Sequence, residues 1–228
     1  MDAQHWEQMY RSRDHVFSGE PNPVLVGEVG GMAPGRALDV GCGEGADAVW
    51  LARRGWQVTA VDVSATALQR AAAAAPDVRD RVSWEQADLA VTPLPAQGFD
   101  LVSVHYFPLR RQPGHTALHH LLDAVAPGGT LLFTTHARED LTASGDFDPD
   151  DYHQPDDIAP LLGGAWKILV NETRPRTGPA PAGTQHTRDS VLRAVRRPDP
   201  QGRATSRKDL GNTTKGPVQR TGPFVCQR

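Results

Sequence analysis

"RALDVGCGEGADAVWLARRGWQVTAVDVS", residues 36–64, decides the fold. "ALDVG" and "QVTAVDV" are apolar runs of strand length. Between them, "GADAVWLARRG" sets Ala48, Leu51 and Ala52 on one helical stripe, and Gly55 supplies the stop. The whole reads as a buried strand, a glycine-rich turn, a helix and a second strand ending in Asp62, which is one βαβ unit.

The alternation continues beyond it. "ATALQRAAAAA" is a strong helix former ended by Pro76, "RVSWEQADL" reads as a third strand and "GFDLVSVHYF" as a fourth. In "TALHHLLDAVAPGG", Leu118, Leu121, Leu122 and Val125 recur at helical spacing before a Pro-Gly-Gly stop and a fifth strand, "TLLFTTH". "AWKILVNETRP" and "HTRDSVLRAVR" are strand-like runs joined by a loop containing Pro and Gly, the pattern of a hairpin. Such alternation gives an α/β fold, a mostly parallel sheet with helices on both faces. Upstream, an amphipathic segment leads into "FSGEPNPVL", where Pro21 and Pro23 rule out a continuous helix. Residues 198–228 lose all hydrophobic period and carry six Lys or Arg against two acids, so a disordered tail is expected there.

A chain of 228 residues has room for one domain with a sizeable core. Its net charge of −3 provides no overall basic excess for gripping a phosphate backbone, which argues against a nucleic-acid partner. The two cysteines, Cys42 and Cys226, make neither a disulfide framework nor a metal cage. The polar, acidic start lacks the features of a signal peptide, and no run approaches the roughly 18 apolar residues of a membrane span. A soluble cytoplasmic protein without a membrane partner is expected.

Gly41-x-Gly43-x-x-Ala46 satisfies the dinucleotide fingerprint, in which glycines admit a pyrophosphate to a helix N-terminus. Local charge argues the other way. Asp39, Glu44 and Asp47 surround the turn, and no Lys or Arg falls between Arg36 and Arg53. A pyrophosphate would meet carboxylates there, whereas a sulfonium amino acid, with two cationic centres against one carboxylate, is attracted by them. Asp62 can accept hydrogen bonds from ribose hydroxyls in either case. Asp88, ending the third strand in "QADL", offers a carboxylate and a following N–H to an adenine edge.

Asp39-Val40-Gly41-Cys42-Gly43-Glu44-Gly45, followed by Asp62, Asp88, the "FDLV" strand and the "APGGTLLF" strand, resembles the Rossmann-like class I S-adenosylmethionine-dependent methyltransferases in order and spacing. The resemblance spans residues 5–197. It implies a seven-stranded, mostly parallel sheet whose last strand is antiparallel. It further implies S-adenosyl-L-methionine as donor, with Asp39 near the methionyl amine and Gly41, Cys42 and Gly43 lining it. Asp62 and Val63 would hold the ribose, and Asp88 with Leu89 the adenine.

A narrower resemblance is to the small thiopurine- and tellurite-resistance-type methyltransferases, which begin with an aromatic-bearing helix. Here Trp6 and Tyr10 lie four apart on one helical face, and Phe17 follows in "VFSGEPNP". This implies an N-terminal helix and lid segment over residues 1–30, closing on the donor, and a methyltransferase core over 31–197.

Three histidines are candidates for catalysis. His105, beside Tyr106, ends the fourth strand, His136 ends the fifth, and His186 opens the last strand-like run. His105 and His136 lie at the edge where open parallel sheets bind ligands, and all three suit a general base near neutral pH. His119 and His120, adjacent on a helix, cannot face one site together. Asp146-x-Asp148-x-Asp150 lacks the glycine and closing glutamate of a calcium loop, so no metal centre is expected. The acidic stretch 139–157 reads as a solvated, mobile loop beside the substrate opening.

With the histidines on separate segments and no paired-base motif, the acceptor is expected to arrive ready to attack. That suggests a small-molecule thiol or chalcogen oxyanion, methylated by in-line displacement. The alternatives are an O- or N-methyltransferase of a natural product using a histidine base, an NAD-dependent oxidoreductase and a non-catalytic donor-binding protein. No feature specifies the oligomeric state.

Overall fold

Two helices, α1 (Ala3–Arg11) and α2 (Pro23–Val29), precede the sheet. The Asp2 side chain caps α1 by accepting from the His5 N–H, and α2 starts on Pro23, whose missing N–H has no partner to lose in a first turn. Then come β1 (Arg36–Val40), α3 (Ala46–Arg53), β2 (Gln57–Asp62), α4 (Ala65–Ala74), β3 (Val82–Gln86) and β4 (Phe99–His105). The chain continues through α5 (Thr116–Ala124), β5 (Val125–His136), the short α6 (Pro155–Ile158), β6 (Trp166–Pro175) and β7 (Arg188–Arg196). This computed structural model describes residues 2–143, 145, 147–178 and 186–198. Of the expected tail only Pro198 is among them, and Asp146 and Cys226 also lie outside the described residues. Among the described residues no helix is long and apolar enough to cross a membrane.

The seven strands lie in the order β3-β2-β1-β4-β5-β7-β6. Neighbours from β3 to β5 pair in parallel, and β7 is antiparallel to both β5 and β6. The hairpin read from the sequence therefore places the last strand inside the sheet. Strand order reverses between β1 and β4, so the loops leaving their C-terminal ends diverge and open a crevice, the usual ligand position in such sheets.

Alternating side chains build a core on each face. Ala37, Val58, Leu101 and Leu132 pack with Leu25 of α2, Leu51 of α3 and Trp56. Leu38, Val40, Val102 and Val104 pack on the other face with Leu118 and Leu121 of α5. Each fully buried leucine contributes about 1.5–3 kcal/mol.

Two local expectations are corrected. The Pro-Gly-Gly stop does not precede β5 but lies within it: Phe99 pairs with Val125 and Leu101 with Thr130, leaving 126–129 as a bulge. Pro127 has no N–H to give the ladder, which breaks the pairing there. Within the stretch 139–157, residues 147–157 are pinned rather than a mobile loop, because Arg138 pairs with Asp150 and Asp157, Arg111 with Asp157 and Arg110 with Asp151. Tyr152, His153 and Gln154 are buried within it. Counting charges along the sequence does not register arginines that arrive from the loop after β4.

Gly45 shows how tightly the glycine-rich turn is packed. It adopts φ +84° at the start of α3, and a Cβ there would lie 2.5 Å from the Trp84 ring and 2.8 Å from the Ala71 methyl. Gly45→Ala should therefore lower the unfolding free energy by about 1–3 kcal/mol, read as a lower urea midpoint; an unchanged midpoint contradicts the packing.

Candidate active site

The turn after β1 is tied to β2, since the N–H groups of Gly41 and Cys42 both donate to the Val61 carbonyl at 2.9 and 3.0 Å. Asp62, ending β2, accepts from the Gly43 N–H and the Ser64 N–H, each at 2.9 Å. Burial raises its pKa, and its carboxylate keeps lone pairs for further donors. Asp39 lies 2% exposed, and its Oδ2 has no partner among the described residues. Burial, then the charges of Asp47 and Asp62, push its pKa well above the ordinary carboxylate value. A buried carboxylate with an open oxygen is relieved by an incoming cation.

The other expected donor contacts gather at the same edge. Val63 is half-buried, with its carbonyl accepting from Gln86 Nε2 at 2.9 Å. Asp88 is exposed two residues beyond β3, where it accepts from the Ala90 N–H, and Leu89 is buried in the core. Burial, then Asp39, raises the Cys42 thiol well above its usual range, so it stays neutral and lines the turn without acting as a nucleophile.

The N-terminal segment crosses this turn. A Cβ on Gly43, which has φ +53°, would lie 2.7 Å from Tyr10 Oη and 3.7 Å from the Phe17 ring. Tyr10 is buried and meets Phe17 edge-on at 6.2 Å, while Phe17 itself is 54% exposed. Trp6 is half-buried on the same helix. Three carboxylates anchor the segment. Glu7 accepts from Ser64 Oγ at 2.6 Å and Thr66 Oγ1 at 2.7 Å, which holds its pKa down at about 2. Glu44 accepts from the Val16 and Phe17 N–H groups and pairs with Arg70, and Asp47 accepts from the Asn22 backbone and side chain, both at 2.7 Å. Glu44 and Asp47 are thus committed within the protein, and of the three acids read around the turn Asp39 is the one with a buried oxygen left open. Glu7, Asn22 and Arg70 were not singled out from sequence, because each acts on a segment distant in the chain.

The histidines do not stand apart as the sequence suggested. His136 stacks on Tyr106 at 4.4 Å and 24°, and on His186 at 3.9 Å and 28°. His105 adjoins Tyr106 at 6.3 Å and is buried, with neither ring nitrogen partnered among the described residues. Tyr106 holds a positive φ of +54°, a strained conformation for a bulky residue, and its hydroxyl donates to Asp189 at 3.0 Å. Arg176 Nη1 lies 3.4 Å from His136 Nδ1. A guanidinium has only donors, so Nδ1 accepts and the ring proton stays on Nε2. Phe107 covers the back of Gly41, 2.7 Å from where its Cβ would lie, so the stack adjoins the turn. Arg176 and Asp189 were missed from sequence, although the β5–β7 register sets Asp189 opposite His136.

Burial, then His186 and Arg176, lower the His136 pKa to about 3, and burial lowers that of His105. Since the folded pKa of His136 lies below its ordinary 6.5, the stability it contributes is present above 6.5 and is lost as pH falls toward 3. Thermal unfolding of His136→Phe should therefore depend less on pH over that window, and an unchanged slope contradicts a buried neutral ring.

Residues 37–129 match the methyltransferase domain family. An uncharacterized methyltransferase of Mycobacterium bovis is 44% identical over 101 residues, which cover 43% of this chain and 49% of the relative. A ubiquinone biosynthesis O-methyltransferase of Alkalilimnicola ehrlichii is 36% identical over 121 residues, covering 50% and 48%. The chain thus spans about half the length of these curated relatives. Among solved structures, the N-methyltransferase NodS of Bradyrhizobium japonicum in complex with S-adenosyl-L-homocysteine shares the fold, with a TM-score of 0.62 and 20% identity over 85% of this chain and 99% of that one. Residues 37–129 thus carry a methyltransferase-domain match, set in a seven-stranded sheet whose fold is that of solved S-adenosylmethionine-dependent methyltransferases.

Proposed function

We propose that this protein transfers the methyl group of S-adenosylmethionine to a small-molecule acceptor. The observation that carries the reading is the open, buried Oδ2 of Asp39 beneath the glycine turn, a carboxylate suited to the ammonium of an amino-acid donor. When bound, the donor supplies an electrophilic methyl on a sulfonium. Asp39 would hold its amine, Gly41, Cys42 and Gly43 would line it, Asp62 and Val63 would meet the ribose, and Asp88 with Leu89 the adenine. Of the segment 1–30, the part before α2 would act as a lid on the core of residues 31–197, with Trp6, Tyr10 and Phe17 excluding water over the turn, while α2 packs in the core itself.

The acceptor class divides on the histidines. A thiolate or chalcogen oxyanion needs mainly alignment, and the expectation of one rested on histidines standing apart. The Tyr106–His136–His186 stack beside His105 instead favours an oxygen or nitrogen acceptor. In that reading His136 Nε2–H donates to the acceptor, and His105 or His186 takes its proton. A product assay across thiols, chalcogen oxyanions, phenols and amines tests this. Preferential O- or N-methylation, lost in histidine variants and restored by added imidazole, supports the base. Preferential methylation of sulfur or a chalcogen, insensitive to those variants, returns the thiol reading. No methylation of any class contradicts the proposed activity.

A further inference from the structure

We propose that the acceptor carries a carboxylate, or an equally planar oxyanion, which the Nε–Nη2 edge of Arg176 receives beside the His136–His186 stack. The inference rests on the methyltransferase reading and names the substrate class of that same site. Arg176 follows β6, and its side chain is 12% exposed. Its contacts all fall on one side: Nη1 lies 3.4 Å from His136 Nδ1 and 3.7 Å from Asp189 Oδ1, and the guanidinium sits 5.0 Å over the Tyr106 ring. Nε is buried without a partner, and no bond joins Nη2 to another described residue. Nε–H and Nη2–H form the parallel pair that an arginine presents to a two-oxygen anion. A buried donor left open is costly, and among the described residues none supplies the acceptor, so that edge suits an acceptor group brought by a ligand.

Asp189 meets Arg176 on its Nη1 side, and no described carboxylate meets Nε. Asp189 Oδ1 takes the Tyr106 hydroxyl and faces Nη1, and Asp140 Oδ2 accepts from Thr187 Oγ1 and from the Thr187 and Arg188 N–H groups. Arg138 pairs with Asp150 and Asp157, and Arg174 with Glu28 and Glu172, so those guanidinium groups are held by carboxylates of the chain. Arg193 Nε is also unpartnered, but its Nη1 pairs with Glu28, and its register partner Leu132 lies four residues before the strand end that carries His136. The His136 ring beside Arg176 is planar, with its proton on Nε2, and stacks between Tyr106 and His186, so an aromatic acid can lie against this stack while its carboxylate meets the guanidinium.

Calorimetry with benzoate, 4-hydroxybenzoate and 4-mercaptobenzoate against their methyl esters, with and without S-adenosylhomocysteine, tests the inference. The acids should bind about tenfold tighter than the esters, the preference should vanish in Arg176→Gln, and Arg176→Lys should keep only part of it. On the unsubstituted protein, benzoate should shift the Arg176 Nε–H resonance, which needs no variant to fold. Esters that bind as well as acids, no binding by any acid, or a preference surviving Arg176→Gln overturns the inference. Failure of S-adenosylhomocysteine to bind while the acids bind at Arg176 overturns the methyltransferase reading alone.

Discussion

Asp39→Asn should yield a ligand-free protein that is more stable than the parent and binds S-adenosylmethionine roughly 30- to 1000-fold more weakly, the range for truncating a buried charged partner. Both effects have one origin. Asp39 is 2% exposed, with Oδ2 open and the charges of Asp47 and Asp62 nearby, so ionising it opposes folding until a cation arrives. Its pKa is raised above the unfolded carboxylate value, so the folded state binds more protons between the two. Its contribution to stability is therefore fully present below the ordinary carboxylate pKa and is lost as pH rises through the raised one. Asparagine removes that loss, and with it the charge proposed to hold the donor amine. Differential scanning calorimetry across pH and titration with the donor measure the two sides. A variant that is both less stable and fully competent to bind contradicts the assignment.

Removal of residues 1–20 should leave a folded core and lower kcat/KM by about 100-fold, the scale on which poor closure and misplacement act. The deletion takes away Tyr10 and Phe17 from over Gly43, Glu7 from Ser64 and Thr66, and the two N–H groups held by Glu44. Asn22 and α2 remain, so Asp47 keeps its partner and the apolar layer containing Leu25 stays closed. The loss should fall on turnover more than on stability, where the missing Tyr10 burial costs about 1.5–3 kcal/mol. Steady-state kinetics beside a urea titration separates the two. A truncated protein with unchanged kcat and KM contradicts a closing segment.

The fold was legible because its signals are local. Strand-length runs at 37–41 and 57–63, the glycines between them and Pro76 after an alanine-rich helix each act on adjacent residues. The β6–β7 hairpin was legible for the same reason, whereas the bulge at Pro127 turns on register with β4. The site was legible only in part. Asp39, Asp62 and the turn lie within one βαβ unit, so sequence order placed them together. The Tyr106–His136–His186 stack joins three segments whose meeting depends on β7 inserting beside β5, and charge or spacing along the chain carries no trace of that. The partners of Glu44 and Asp47 illustrate the same limit: read along the chain they were uncompensated acids around a ligand, and in three dimensions they hold Val16, Phe17 and Asn22.

The central claim is that the glycine turn, with Asp39 beneath it, accepts a sulfonium amino acid rather than a dinucleotide. Titration calorimetry of the unmodified chain with S-adenosylmethionine, S-adenosylhomocysteine and NAD tests it most directly. Both adenosyl compounds should bind at one site, weakened together by Asp39→Asn and by Asp62→Ala, while NAD gives no saturable heat. Tighter binding of NAD than of either adenosyl compound, or no binding of the adenosyl compounds, contradicts it.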